Sequence, residues 1–313
     1  MDIHKKVNIP LTYDGRFPIF GITEVSDMAK GPTIQEFFKT FPDDDTCLEH
    51  LMALRFGKVL ECPKCGNEGE FAKLKKVPAY ACPTCGHHIH PMVGTPFERS
   101  HTPLQKWFYA MYLFTTSRHG VPAKELQRQL GVTYKTAWRM GHELRKYMGK
   151  VDGDDGLSGH VEVDETMVGG RRKGGKRGRG APGKTIVFGM IERDGDIIAR
   201  IVQNVRRKTL EAHILEHIAR GSQISSDELA SYATLVRHGY KHEAVNHSAE
   251  EWARGETHVN TAEGFWSRLK VSIRGTHVHV SAKHLSKYLK EFEFRFNMRR
   301  RPEMMFAKLL SSF

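Results

Sequence analysis

The chain has 313 residues, 39% of them hydrophobic, and a formal net charge of +12. No apolar run approaches the roughly 20 residues of a helical membrane span, and the opening Met-Asp-Ile-His-Lys-Lys-Val lacks the apolar core of a secretory signal, so a cytoplasmic protein with no membrane partner is expected. The charge favours a polyanionic partner, nucleic acid before all others, and five cysteines, an odd number, argue against a disulfide scaffold.

At roughly 100–200 residues per domain, the length predicts two domains with room for a small third. Residues 1–32 carry turn formers and little periodicity and read as an irregular arm. Two helical pieces are expected between Thr33 and Gly57. The first ends in the cluster Phe37, Phe38 and Phe41 before Pro42. The second is capped from Asp43–Asp45 and carries Leu48, Leu51, Met52 and Leu54 at helical spacing.

Cys62-Pro-Lys-Cys65 and Cys82-Pro-Thr-Cys85 come next, with sixteen residues between the pairs, while Cys47 stands alone. This is the spacing of a zinc ribbon. Gly66 and Gly86 let each knuckle turn so that neighbouring amides face the sulfurs. Four thiolates close a tetrahedral shell, so the Zn²⁺ is expected to be structural and to contribute much of the stability of so small a module. His87, His88 and His90 then read as surface residues. Helical cap and ribbon together are assigned to residues 33–98.

Residues 102–116 read as a buried, aromatic-rich helix, with Thr102 as its cap and Pro103 at its first position. Leu126 and Leu130 end a further short helix, Gly131 makes a turn, and Thr133 caps a helix bearing Ala137, Met140, Leu144 and Tyr147. This order matches a helix-turn-helix over 99–148, with Tyr134, Lys135, Thr136 and Arg139 on the DNA-facing start of its second helix. A plain helical hairpin is the alternative; the charge and the zinc module favour DNA. Gly149–Gly159, rich in glycine and aspartate, reads as a linker with solvated aspartates.

Beyond it the pattern turns to strands, at His160–Val168, Lys184–Glu192 and Ile197–Val205. The loop between the first two holds Arg171, Arg172, Lys173, Lys176, Arg177, Arg179 and Lys184, a basic, glycine-rich segment suited to tracking a phosphate chain. Thr209–Arg220 is expected as a helix, Gln223–Asp227 as a fourth strand and Glu228–His238 as another helix, followed by a less regular stretch over 239–259. Helices at Asn260–Ile273 and Ser281–Met298, and a short one after Pro302, complete the chain. Three antiparallel strands, then helix, strand and helices, is the order of an RNase H-like α/β fold, expected over 160–300, with 301–313 as a C-terminal helix.

Three acidic residues stand out: Asp164 and Asp227 on strands, and Glu263 at a helix start. Each has a plain structural explanation. Asp164 can face solvent beside Glu162 and Thr166, Asp227 can cap the next helix, and Asn260 with Glu263 can form a cap pair. Together they can also converge, and three carboxylates in one place repel each other unless divalent metal removes the penalty. Two such ions about 4 Å apart can activate a water or a 3′-hydroxyl and stabilise a leaving oxygen. Lys270 lies seven residues after Glu263, two turns on and on the same face, within reach of a phosphate. Phe265 or Trp266, with Leu269 and Ile273, falls on the burying side.

The two Cys-x-x-Cys pairs, Leu-Gly-Val-Thr-Tyr-Lys-Thr-Ala-Trp-Arg-Met, Val-Glu-Val-Asp-Glu-Thr-Met-Val-Gly-Gly, Ile-Ser-Ser-Asp, Asn-Thr-Ala-Glu-Gly-Phe-Trp-Ser-Arg-Leu-Lys and the later Phe-Arg-Phe-Asn are similar to motifs of bacterial insertion-sequence transposases of the DDE type, in the branch with an N-terminal zinc ribbon. The resemblance covers roughly residues 33–300. It implies that Asp164, Asp227 and Glu263 bind catalytic Mg²⁺ or Mn²⁺, with Lys270 as the accompanying basic residue and Asn260 as a secondary candidate, since some members carry Asn at the third position. It further implies hydrolysis at transposon ends, joining of the 3′-hydroxyl to target DNA, double-stranded terminal repeats as partners, a homo-oligomer on DNA and a place at the bacterial nucleoid. Two rival readings are a DNA-binding regulator on an inactive catalytic fold, and an RNase H-like nuclease that cuts without joining.

Overall fold

The computed structural model describes residues 31–57, 59–169, 184–245, 253–255 and 257–313. Most of the expected arm, and the loop residues Arg171, Arg172, Lys173, Lys176, Arg177 and Arg179, lie outside the described residues. No helix among the described residues is long and apolar enough to cross a membrane.

Helix α1 (Ile34–Thr40) opens with a capping box, in which Thr33 Oγ1 accepts the Glu36 N–H and Glu36 accepts the Thr33 N–H. Helix α2 (Asp44–Phe56) is capped by Asp43, which accepts the Thr46 N–H at 2.8 Å. Five two-residue strands follow. β1 (Leu60–Glu61) pairs with β2 (Glu68–Gly69), and β3 (Ala72–Lys73), β4 (Tyr80–Ala81) and β5 (His88–Ile89) form a second antiparallel sheet.

Helix α3 (Leu104–Thr116) has Pro103 at its cap, which offers no side-chain bond, so Thr102 does not cap it. Asp44 of α2 reaches across instead and accepts the Gln105 N–H at 2.9 Å. Helix α4 (Ala123–Leu130) ends at Gly131, whose φ of +59° suits a residue without Cβ. Helix α5 (Tyr134–Asp152) starts at Thr133, whose Oγ1 accepts the Thr136 N–H. It runs into the stretch expected as a linker, and the aspartates there are not simply solvated. Asp152 is half-buried and accepts a bond from Asn297 Nδ2 at 3.0 Å. Asp154 pairs with Arg200 at 2.7 Å and with Lys290 at 3.0 Å.

β6 (His160–Val168), β7 (Thr185–Glu192) and β8 (Ile197–Val202) form an antiparallel meander. Helix α6 (Arg207–His217) then leads to β9 (Gln223–Ser226), which lies parallel to β6. The helix expected over Glu228–His238 is two 3₁₀ turns, Ala230–Tyr232 and Leu235–His238. An unexpected strand, β10 (Lys241–Ala244), pairs parallel to β9 and gives the order β10-β9-β6-β7-β8. Helix α7 (Asn260–Ser272) continues into a π-helical turn, Ile273–His277, and is followed by α8 (Ala282–Asn297) and α9 (Met305–Ser311).

One face of this sheet packs Val161, Val163 and Phe188 against Leu210 and Ile214 of α6. The other packs Val187 and Ile191 against Phe265, Trp266 and Leu269 of α7 and Leu285, Leu289 and Phe292 of α8. An antiparallel trio extended by two parallel strands, with helices on both faces, is the RNase H-like α/β arrangement. A separate core gathers α1 to α5, the ribbon strands and α9.

Candidate active site

The four ribbon cysteines bring their ligand atoms within 4.8 Å of one another. Cys62 Sγ lies 3.6 Å from Cys85 Sγ, and Cys65 Sγ lies 3.8 Å from Cys82 Sγ. A tetrahedron of ~2.3 Å zinc–sulfur bonds has edges of about 3.8 Å, so the donor set fits that ion. Each knuckle closes by a glycine amide, Gly66 N–H to Cys62 O at 2.8 Å and Gly86 N–H to Cys82 O at 3.0 Å. The Cys85 and Thr84 amides hold the Cys82 thiol down to about 6, the thiolate character a metal ligand needs. Cys65 also takes an amide bond, from Asn67, but desolvation and the neighbouring sulfurs outweigh it and lift that thiol to about 12. His88 and His90 are exposed, in keeping with a shell already filled.

Among the described residues, Asp164, Asp227 and Glu263 do not draw their carboxylate oxygens within 4.8 Å of one another as the four cysteines do. His160, Val161 and Glu162 of β6 stand opposite Gln223, Ile224 and Ser225 of β9 in parallel. Asp227 lies one residue past the end of β9, near Asp164 of the parallel neighbour β6. The electrostatics agree: burial pushes the Asp164 carboxyl up to about 7, and the charges of Glu165 and Asp227 add to the effect, against an amide bond from Glu165 and the Trp266 N–H. Asp227 is not the cap of an α-helix; its Oδ1 accepts the Leu229 N–H at 3.1 Å in a turn. Tyr232, buried on the α6 side, donates to Glu165 Oε2 at 2.7 Å. Its hydroxyl is raised well above the usual range, first by burial and then by Glu165, Asp227 and Asp164.

Asp164 is not solvent-facing either, because α7 covers that side of β6. Trp266 Nε1 donates to Asp164 Oδ2 at 2.9 Å. Glu263, exposed in the first turn of α7, lies three residues before Trp266 and hence on the same side of the helix. The anticipated Asn260–Glu263 cap pair does not form. Val259 is the cap residue, Asn260 is exposed, and no local side chain caps the helix. Its free amides are taken instead by the wholly buried Glu162, whose Oε2 accepts the Thr261 and Ala262 N–H groups at 2.8 and 3.1 Å. Glu162 Oε1 accepts Thr261 Oγ1 at 2.9 Å and Arg193 Nε at 3.0 Å. Glu162, expected on a solvated face, is instead buried; its spacing of two from Asp164 puts both on the side of β6 that meets α7.

Lys270 is half-buried one turn beyond Trp266. Burial lowers its ammonium, the Asp164 carboxylate opposes that, and Arg274 and Lys184 add to the lowering. Lys184, the last residue of the basic loop, therefore lies near the same cleft. On α5, Tyr134 and Lys135 are exposed, and Lys124 Nζ of α4 sits 5.0 Å from the Tyr134 ring centroid. Arg139 is less free than its position suggested, because it donates to Ser100 Oγ at 3.2 Å and lies over the Trp107 ring.

Comparison with known proteins matches residues 156–297 to the ISXO2-like transposase domain and residues 42–88 to the transposase zinc-ribbon domain. An uncharacterized transposase-like protein of Haemophilus influenzae is 31% identical over 97 residues, 31% of this chain and 77% of its own length. An uncharacterized protein in transposable element ISH50 of Halobacterium salinarum is 26% identical over 283 residues, 84% of this chain and 94% of its own. Among solved structures there is a faint likeness to the Mos1 strand transfer complex, with a TM-score of 0.28 and 14% identity over 66% of this chain and 77% of the other.

Proposed function

Because the chain belongs to the ISXO2-like transposases, we propose that Asp164, Asp227 and Glu263 form a divalent-metal site at which it cuts the ends of its element and joins the freed 3′-hydroxyl to target DNA. The observation that carries this reading is the nearness of Asp164 on β6 to Asp227 just past the parallel β9, beneath a helix latched to Asp164. The donor set is all carboxylate oxygen, which suits Mg²⁺ or Mn²⁺, and a carboxyl held up to about 7 by its surroundings has most to gain from a nearby cation. Such an ion supplies a polarised nucleophile and neutralises charge at the phosphorus during in-line displacement.

The chain's own residues divide the remaining work. Glu263 completes the carboxylate set from α7, with Asn260 on the same turn as the secondary candidate. Lys270 holds a phosphate oxygen beside the cluster. Arg171, Arg172, Lys173, Lys176, Arg177 and Arg179 track the DNA backbone, while Tyr134, Lys135 and Arg139 read the terminal repeat from the start of α5. Zn²⁺ on Cys62, Cys65, Cys82 and Cys85 folds the ribbon. In this reading residues 33–98 and 99–148 bind the ends, 160–300 carry out the chemistry, and two ends held together require more than one copy of the chain.

The test is a Mg²⁺ or Mn²⁺ strand-transfer assay on DNA bearing the element's own ends, with wild type beside Asp164→Ala, Asp227→Ala and Glu263→Ala. Joined product from wild type alone is expected. Cutting without joining would make the protein a nuclease, and binding with neither would make it a regulator. Chelation of the ribbon metal is expected to abolish end binding together with the fold of residues 42–88, read by loss of one equivalent of zinc and of ribbon amide protection.

A further inference from the structure

Trp266 is among the most buried large side chains of the α7 face, at 3% exposure, yet its one polar atom is spent on Asp164. An indole N–H can only donate, so this bond selects the Asp164 oxygen that accepts it, Oδ2, and fixes the plane of the carboxylate. The ring reaches that oxygen by crossing β7 at Gly189, the residue paired with Asp164 in the antiparallel register. A Cβ there would lie 2.6 Å from Trp266 Cζ2 and 2.7 Å from Cη2, contacts that no side chain tolerates. Gly189 has ordinary strand neighbours, Phe188 and Met190, both wholly buried, and its φ is not in the positive region. The turn-forming freedom of glycine is therefore not what this position uses. What it uses is the missing Cβ, and the space left is filled by the six-membered ring of Trp266.

Resting on the metal-site reading above, we propose that Trp266 is a positioning residue for Asp164. It pins Oδ2 so that Oδ1 is presented to the divalent cation, and Gly189 is the opening in β7 that admits its ring. Partners that orient a ligating carboxylate in this way typically govern metal affinity by 10–100-fold. Glu263 and Lys270 lie three residues before and four after Trp266 on the same helix face. The bond thus also sets where those two side chains stand relative to Asp164.

The experiment measures Mn²⁺ affinity of the full-length, zinc-loaded protein from the loss of the free-ion electron paramagnetic resonance signal, alongside binding of the terminal-repeat DNA. The variants are Asp164→Asn, Trp266→Phe, Gly189→Ala and the double variant Trp266→Phe with Gly189→Ala. Trp266→Phe keeps an aromatic ring but removes the N–H and the Cζ2 and Cη2 atoms. It is expected to weaken Mn²⁺ binding at least tenfold while DNA binding stays within twofold. Gly189→Ala in the wild type should weaken Mn²⁺ similarly, and in the Trp266→Phe background it should have little further effect, because the atoms it would strike are gone. A merely destabilised core would instead lower the denaturant midpoint of Trp266→Phe while leaving the Mn²⁺ affinity of the folded protein unchanged. Wild-type Mn²⁺ affinity in Trp266→Phe overturns the proposal, and so does an equal loss from Gly189→Ala in both backgrounds. If Asp164→Asn binds Mn²⁺ as tightly as wild type, the metal-site reading falls and this inference with it.

Discussion

Glu162 is a buried carboxylate whose value lies in what it holds. Two α7 amides, the Thr261 hydroxyl and the Arg193 guanidinium all donate to it, and His258 Nδ1 lies 3.2 Å away. A helix N-terminus carries unpaired amides and a partial positive charge, so a carboxylate placed there serves as both cap and counter-charge. Here it comes from a strand 99 residues earlier in sequence, and it ties the start of α7 to the same β6 that carries Asp164. Glu162→Ala removes the acceptor of Arg193 Nε and of two α7 amides and should cost about 3–5 kcal/mol, read as a lower denaturant midpoint. Glu162→Gln, with one acceptor oxygen for four donors, should cost less but still lower stability. Neither variant should change zinc content, since the ribbon lies in a different core.

At the scale of elements, the last turn of α5 meets α8 through acidic groups that lack full compensation. Burial lifts the Asp152 carboxyl to about 7, with the Glu293 charge adding to it against Lys308 and Lys290. Burial also lifts Glu293 to about 6, against Lys290 and Arg200. For both groups the folded-state pKa exceeds the unfolded one, so the folded chain binds more protons than the unfolded chain between about pH 4 and 7. Stability from these groups is therefore highest at the acid end of that window and falls as pH rises through it. Asp152→Asn should raise the melting temperature at pH 8, by an amount equivalent to about 1–3 kcal/mol, and leave it nearly unchanged at pH 4.5. A pH-independent gain would contradict the assigned cause. The same junction explains why the expected linker is short: Asn297 of α8 bonds Asp152, and Arg200 and Lys290 hold Asp154.

Across the whole molecule, the N-terminal helices and the sheet domain are joined by a buried ion network and a returning C-terminus. Glu291 of α8 is wholly buried and accepts from Arg145 of α5 at 2.7 Å and from Arg295 at 2.9 Å. Burial alone would raise its carboxyl, but Arg145, Arg295 and His277 outweigh that and lower it. Arg295 continues to the Ser117 carbonyl and Arg145 to the Val121 carbonyl at 3.0 Å, so the network ties α5 and α8 to the connection between α3 and α4. Helix α9 crosses back to the N-terminal core, where the Tyr147 hydroxyl donates to Leu309 O at 2.7 Å and the Phe313 ring stacks on Tyr147. Glu291→Ala strands two buried guanidinium groups and should cost about 3–5 kcal/mol. Deleting residues 305–313 should uncover Phe37, Tyr112 and Tyr147 and weaken end binding, although the deleted segment follows the sheet domain in sequence. Retained end binding in the truncated protein, measured by gel shift, would count against that coupling.

Local signals settled a large part of this protein. The Cys-x-x-Cys pairs, the cap at Asp43, Gly131 between α4 and α5, and the alternation in β6 are short-range patterns with few physical solutions, and each was legible from neighbouring residues. Tertiary structure decided what depends on contacts far apart in the chain. β10 has only four residues and exists because β9 offers it an edge; the segment from Glu228, free of any packing partner in sequence reasoning, looked helical and is two 3₁₀ turns. Glu162 read as a solvated strand residue and Trp266 as plain core, because period-two and period-3.6 patterns tell which face a side chain takes but not what lies across from it. The sequence determined which residues carry the chemistry-bearing groups; only packing determined which of those groups touch, since hydrogen bonds across about 100 residues leave no periodic trace.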